Sequence, residues 1–162
     1  FGEGSRFTVI LPWSTQEPSL QINEQESLAQ IQFEKPGDSP TVMVADDNET
    51  VLELLTDFLE SKKYRVIRAH SGDELLSKVA EICPDLILMD IQMPGMDGLD
   101  TIRCIRSNAD LVIASTPIIA VTALAMPGDR ERCLLAGADD YMSKPMKLNE
   151  LAALIRKMKR KK

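Results

Sequence analysis

The sequence predicts an α/β fold, an open, doubly wound parallel sheet of five strands accompanied by five helices. Two observations predict it. From residue 41 onward short β-rich runs alternate with helical periods, five of each in about 120 residues. Three of the five runs are almost continuously apolar, as parallel strands covered on both faces require.

The elements follow in order. Residues 41–45 (TVMVA) form the first candidate strand. Asn48 is a good N-cap for a helix whose apolar stripe is Val51, Leu54, Leu55, Phe58 and Leu59. Residues 65–69 (RVIRA) are the second strand, and Ser71 with Glu74 makes a capping box ahead of Leu75, Val79 and Ile82. Pro84 stops that helix. Residues 86–89 (LILM) are the third strand, and Leu99, Ile102 and Ile105 mark the helix behind it. After the fourth strand, residues 118–121 (IIAV), a helix is expected from about residue 127 to Ala136, with Gly137 ending it. Residues 140–142 (DYM) are the fifth strand. Leu148, Leu151, Ile155 and Met158 mark the last helix, whose basic end suits the negative pole of its dipole.

Upstream of residue 41 the composition changes. Residues 13–40 are rich in Gln, Glu, Ser and Pro and read as a linker, with a short helix over residues 24–31. Residues 7–11 (FTVIL), closed by Pro12, read as an isolated strand. The expected division is therefore 1–12, 13–40 and 41–162. The chain starts with Phe1, without a signal-peptide pattern, and is expected to be a piece of a longer protein.

Charge and composition exclude several classes. The net charge is −6, with the only basic concentration in the last 12 residues. A nucleic-acid binder would show a basic face, so no nucleic acid is expected as a partner, and the basic tail reads as a solvated helix end. No apolar run reaches the length a membrane helix needs, so no direct membrane contact is expected. Cys83, Cys104 and Cys133 are odd in number and contain no C-x-x-C pair, which leaves three buried, reduced thiols in a cytoplasmic protein as the expectation. The single His70, just past the second strand, reads as a surface or packing residue. Any chemistry must rest on carboxylates.

In an open α/β sheet the ligand site lies beyond the carboxyl ends of the strands. Asp46 and Asp47 follow the first candidate strand, Asp90 the third, Thr122 the fourth, and Ser143, Lys144 and Pro145 the fifth. Three carboxylates, a hydroxyl and a lysine thus converge on one edge. Carboxylates held together repel one another unless a cation neutralises them. An oxygen-only donor set suits Mg²⁺, which usually takes one or two carboxylates plus a phosphate. A lysine beside it is a point charge for phosphoryl oxygens, and a carboxylate can then act as a nucleophile towards phosphorus. The residues themselves reach a Mg²⁺-dependent phosphoryl acceptor on Asp.

Asp46-Asp47, the run from Met89 to Gly98 (MDIQMPGMDG), Thr122-Ala123 and Lys144-Pro145 together resemble the signature of the response-regulator receiver domain. The resemblance covers about residues 41–160. It implies a flavodoxin-like sheet of order 2-1-3-4-5. It also implies that Asp90 accepts the phosphoryl group from a phosphohistidine. Mg²⁺ would be bound by Asp47, Asp90 and the backbone carbonyl of Gln92, with Asp46 acting mainly through a water. Lys144 would hold the phosphoryl group, while Thr122 and Tyr141 would form the switch. Small Ala123 would leave the phosphoryl pocket open, and the Lys144-Pro145 bond would be cis. The implied partner is a histidine kinase core or a histidine phosphotransfer protein.

Residues 2–12 (GEGSRFTVILP) resemble the last glycine-rich turn and closing strand of a histidine-kinase ATP-binding domain. Kinase end, linker and receiver follow one another as in hybrid histidine kinases. The alternative is an enzyme, a Mg²⁺-dependent phosphohydrolase passing through an aspartyl phosphate. Haloacid-dehalogenase-like phosphatases carry a second acidic residue two positions after the nucleophile, where this sequence has Gln92, which favours the signalling module.

Overall fold

The computed structural model describes residues 39–123 and 128–159. The expected strand over residues 7–11, the helix over 24–31 and the kinase remnant lie outside the described residues. So does most of the linker.

The chain begins with β1 (Thr41–Ala45), α1 (Glu49–Ser61), β2 (Arg65–Ala69), α2 (Gly72–Ile82) and β3 (Leu86–Asp90). It continues through α3 (Gly98–Arg106), α4 (Leu111–Ala114), β4 (Ile118–Thr122), α5 (Asp129–Ala136), β5 (Asp140–Ser143) and α6 (Leu148–Lys159). The five strands are all parallel, in the order β2-β1-β3-β4-β5. The chain reverses its direction of growth between β2 and β3, which opens the crevice expected beside β1 and β3.

Local chemistry sets the elements. Asn48 Oδ1 accepts from the N–H of Thr50 at 3.0 Å and caps α1. Ser71 Oγ accepts from the N–H of Glu74 while Glu74 Oε2 accepts from the N–H of His70, so the start of α2 is held from both sides. Cys83 turns left-handed at φ +46° and Gly137 at φ +110°, ending α2 and α5.

Side-chain alternation along the strands then builds two cores. Met43, Ala45, Ile87, Met89, Ile118 and Ala120 face α2, α3, α4 and α5, meeting Leu75, Val79, Ile102, Ile105 and Ile113. Val42, Val44, Leu86, Leu88 and Ile119 face α1 and α6, meeting Leu52, Leu55, Leu59, Leu151 and Ile155. Every residue of β3 and β4 is buried, as their apolar runs predict.

The structure departs from the sequence reading in four places. A sixth helix, the single turn α4, joins the five expected; Asp110 caps it, its Oδ1 accepting from Val112 N–H at 2.8 Å. The buried stripe of α1 runs through Leu52, Leu55, Thr56 and Leu59, and Leu54 is 50% exposed. Thr56 tolerates burial because its hydroxyl donates to Leu52 O at 2.7 Å and accepts from Arg68 Nε at 2.9 Å. Cys83 and Cys104 are exposed and only Cys133 is buried. Finally, β3, β4 and β5 each run one residue further than their apolar patterns, taking in Asp90, Thr122 and Ser143.

Candidate functional site

Those added strand residues carry the site. Because Asp90 is the last residue of β3, its backbone is fixed by the ladder and its carboxylate emerges at the sheet's carboxyl edge. Asp46 follows β1 directly, and its N–H donates to Ala69 O at 3.2 Å, so the neighbouring strand still holds it. Asp46, Asp47 and Asp90 each place a carboxylate oxygen within 4.8 Å of the others. Asp46 and Asp90 are buried, at 2% and 4% exposure, and Asp47 is exposed.

Each buried carboxylate is satisfied on both oxygens. Asp46 Oδ1 accepts from the N–H of Asn48 at 2.9 Å, and Asp90 Oδ1 from the N–H of Gln92 at 3.2 Å. The two remaining oxygens, Oδ2 of Asp46 and of Asp90, both accept from Lys144 Nζ at 2.7 Å. One ammonium thus bridges residues 98 and 54 positions away in sequence. Lys144 stands just past β5, its own N–H donating to Thr122 O at 2.7 Å, and its peptide bond to Pro145 is cis.

Electrostatics follow from this packing. Burial pushes the Asp90 carboxyl above the usual carboxylate range, against the pull of the Lys144 hydrogen bond. Burial also disfavours the Lys144 ammonium, but its hydrogen bonds to Asp46 and Asp90 outweigh that and raise its pKa. The site therefore holds a fixed positive charge against a cluster with negative charge to spare.

The other predicted residues surround this centre. Thr122 is buried at the end of β4, paired with Ser143 across the ladder. Tyr141 pairs with Ala120 and is partly buried against the core under α2 to α5. A cleft of about 210 Å³, lined by Gln92, Met93, Thr122 and Arg132 among others, opens between the loop after β3 and α5. His70 lies outside the cluster, exposed, with Nδ1 3.5 Å from Glu49 Oε2. The sequence marks Asn48 as a helix cap alone; its backbone N–H also orients Asp46, a dual use that its place two residues after the aspartate signals.

A parallel five-stranded sheet with an acidic cluster and a bridging lysine at its carboxyl edge defines a class of protein. The chain belongs to the response regulator receiver domain family, whose model matches residues 42–156. Among its relatives is the polar-differentiation response regulator DivK of Brucella ovis, 43% identical over 106 residues, covering 65% of this chain and 85% of the relative. Similar solved structures include the receiver domain of a sensor histidine kinase from Pseudomonas aeruginosa PAO1, described with a magnesium ion coordinated in its active-site cleft. That structure is 35% identical with a TM-score of 0.68, covering 75% of this chain and 98% of the other. The signal receiver domain of a signal transduction histidine kinase from Syntrophus aciditrophicus is 32% identical with a TM-score of 0.68, covering 74% and 89%.

Proposed function

We propose that this chain is the phospho-accepting module of a two-component phosphorelay, taking a phosphoryl group from a phosphohistidine onto Asp90 with Mg²⁺. The observation that carries the reading is the shared cation: Lys144 bonded at 2.7 Å to both Asp46 and Asp90, inside a three-carboxylate cluster. The cluster's donors fit a hard divalent ion, being oxygens only and close together. Asp47, Asp90 and the backbone carbonyl of Gln92 would hold Mg²⁺, with Asp46 acting mainly through a bridging water. When bound, Mg²⁺ would offset the carboxylate charge and draw charge from the phosphoryl oxygens.

The chain's own residues do the rest. A carboxylate oxygen of Asp90 attacks phosphorus; the O–P bond forms as the N–P bond of the phosphohistidine breaks. The electron pair stays on the imidazole nitrogen, and the product is an aspartyl phosphate. Lys144 holds one phosphoryl oxygen and the Thr122 hydroxyl bonds another. Drawing Thr122 towards the phosphoryl group changes the packing beside Tyr141, and the face carrying α5, β5 and α6 reports the modification. Slow loss of the phosphoryl group to water acts as a timer.

The same reading makes a histidine kinase core or a histidine phosphotransfer protein the partner. It places residues 1–12 as the end of a kinase ATP-binding domain, 13–40 as a linker and 41–162 as the receiver of a cytoplasmic or membrane-anchored hybrid kinase. Two similar structures being receiver domains of histidine kinases supports that arrangement. No helix among the described residues is long and apolar enough to cross a membrane. Acetyl phosphate or beryllofluoride with Mg²⁺ should modify wild-type protein, and Asp90→Asn should abolish the modification. Labelling that survives Asp90→Asn moves the acceptor elsewhere.

A further inference from the structure

We infer that Gly98 is a positioning residue for the site, holding the Asp90–Ile91 peptide and the loop that carries Gln92; the role rests on the reading of Asp90 and Gln92 given above. Gly98 is the first residue of α3 and is buried. A Cβ at this position would stand 2.1 Å from the Asp90 carbonyl oxygen, 2.7 Å from Ile91 Cα and 2.9 Å from the Asp90 carbonyl carbon. All three are backbone atoms, so no rotamer change relieves the clash. Every other residue type would push α3 and the Asp90 peptide apart.

The neighbouring hydrogen bonds show what that separation would disturb. Gly98 N–H donates to Ile91 O at 3.0 Å, and Ile91 N–H donates to Val121 O at 2.9 Å. The loop over residues 92–97 is thus clasped at its root, directly on the peptide that follows Asp90. Its far end is fixed to α3, because Asp97 Oδ1 accepts from Asp100 N–H at 2.8 Å and Asp97 O accepts from Thr101 Oγ1 at 2.9 Å. Within the loop's first turn, Gln92 N–H donates to Asp90 Oδ1. The carboxylate and the Gln92 backbone are therefore set by one peptide, and that peptide is set by the close approach of Gly98. Gly98 does not have a positive φ, so the glycine here serves the close approach of backbone and not an unusual conformation.

The test compares wild type, Gly98→Ala and Gly137→Ala. Gly137 lies at the end of α5, where a Cβ would meet the Arg106 side chain at 2.7 Å and a positive φ adds strain, so its variant is a stability control. Gly98→Ala should keep the wild-type far-UV spectrum and shift the Gln92 amide resonance of metal-free protein. Its Mg²⁺ affinity by calorimetry should fall about 10- to 100-fold, the loss typical of removing a ligand's support. Gly137→Ala should melt earlier with Mg²⁺ affinity and the Gln92 amide unchanged. A Gly98→Ala protein with wild-type Mg²⁺ affinity and a wild-type Gln92 amide overturns the role while leaving the metal reading standing. Wild-type protein that takes up no Mg²⁺ overturns the metal reading and the role with it. Should Gly98→Ala fail to fold, amide exchange in wild type decides: Mg²⁺ should slow Gly98 and Gln92 N–H exchange by the same factor, and a Gly98 amide indifferent to Mg²⁺ overturns the role.

Discussion

Lys144 neutralises two buried carboxylates that would otherwise repel each other across the carboxyl edge of the sheet. In the proposed mechanism it must release them to hold a phosphoryl oxygen, so it works both at rest and after transfer. Lys144→Ala should still form the acyl phosphate, because bound Mg²⁺ would carry much of the charge, but about a hundredfold more slowly, as for loss of one oxyanion donor. The Tyr141 environment, read by NMR with beryllofluoride, should barely change, since the link from site to β5 is cut. A full wild-type response would reduce Lys144 to an ordinary charge. Asp47→Ala should remove Mg²⁺ binding in a titration, and an unchanged affinity would refute the ligand assignment. The residue types at this site were legible, because strand ends in an open α/β sheet say where to look. That one ammonium touches both Asp46 and Asp90 was not, since sequence places Lys144 at the edge without its reach.

Arg106 shows how the ends of the elements are joined. From the last residue of α3 its guanidinium donates to Ala114 O, Thr116 O, Gly137 O and Asp139 Oδ2, all within 2.8–2.9 Å. Asp139 Oδ2 in turn accepts from Ile118 N–H at 2.9 Å. One side chain therefore ties α3, α4, the end of α5 and the starts of β4 and β5. Arg106→Met leaves three carbonyls and a carboxylate without that donor and should cost about 2–3 kcal/mol in a urea titration. A loss below about 0.5 kcal/mol, the range of ordinary surface changes, would refute the strut. No sequence pattern pointed to it, because its partners are three backbone carbonyls and one carboxylate up to 33 residues away. The elements themselves were legible from periodicity, with predictable errors. Asp90 and Thr122 break apolar runs, so a hydrophobic pattern ends each strand one residue early. The single turn of α4 is too short to show a period, and Leu54 was misplaced because a back-bonded Thr56 reads as polar.

At the scale of the whole molecule, both faces of the sheet are closed by helices from the compact unit Ser39–Lys162. Deleting residues 1–38 should leave a folded domain that still reacts with beryllofluoride. A large fall in melting temperature would show that the deleted segment belongs to the fold. The doubly wound parallel class was legible because nearly continuous apolar strands alternate with amphipathic helices, whereas the strand order β2-β1-β3-β4-β5 was implied only by the resemblance to the receiver signature. In the proposed relay, Asp90 receives a phosphoryl group from histidine. Incubating the protein with a histidine kinase and labelled ATP, then mapping the label by mass spectrometry, tests it most directly. The predicted result is Mg²⁺-dependent, acid-stable and base-labile label on the peptide containing Asp90, absent in Asp90→Asn. Label on any other residue, or undiminished label in Asp90→Asn, would contradict it.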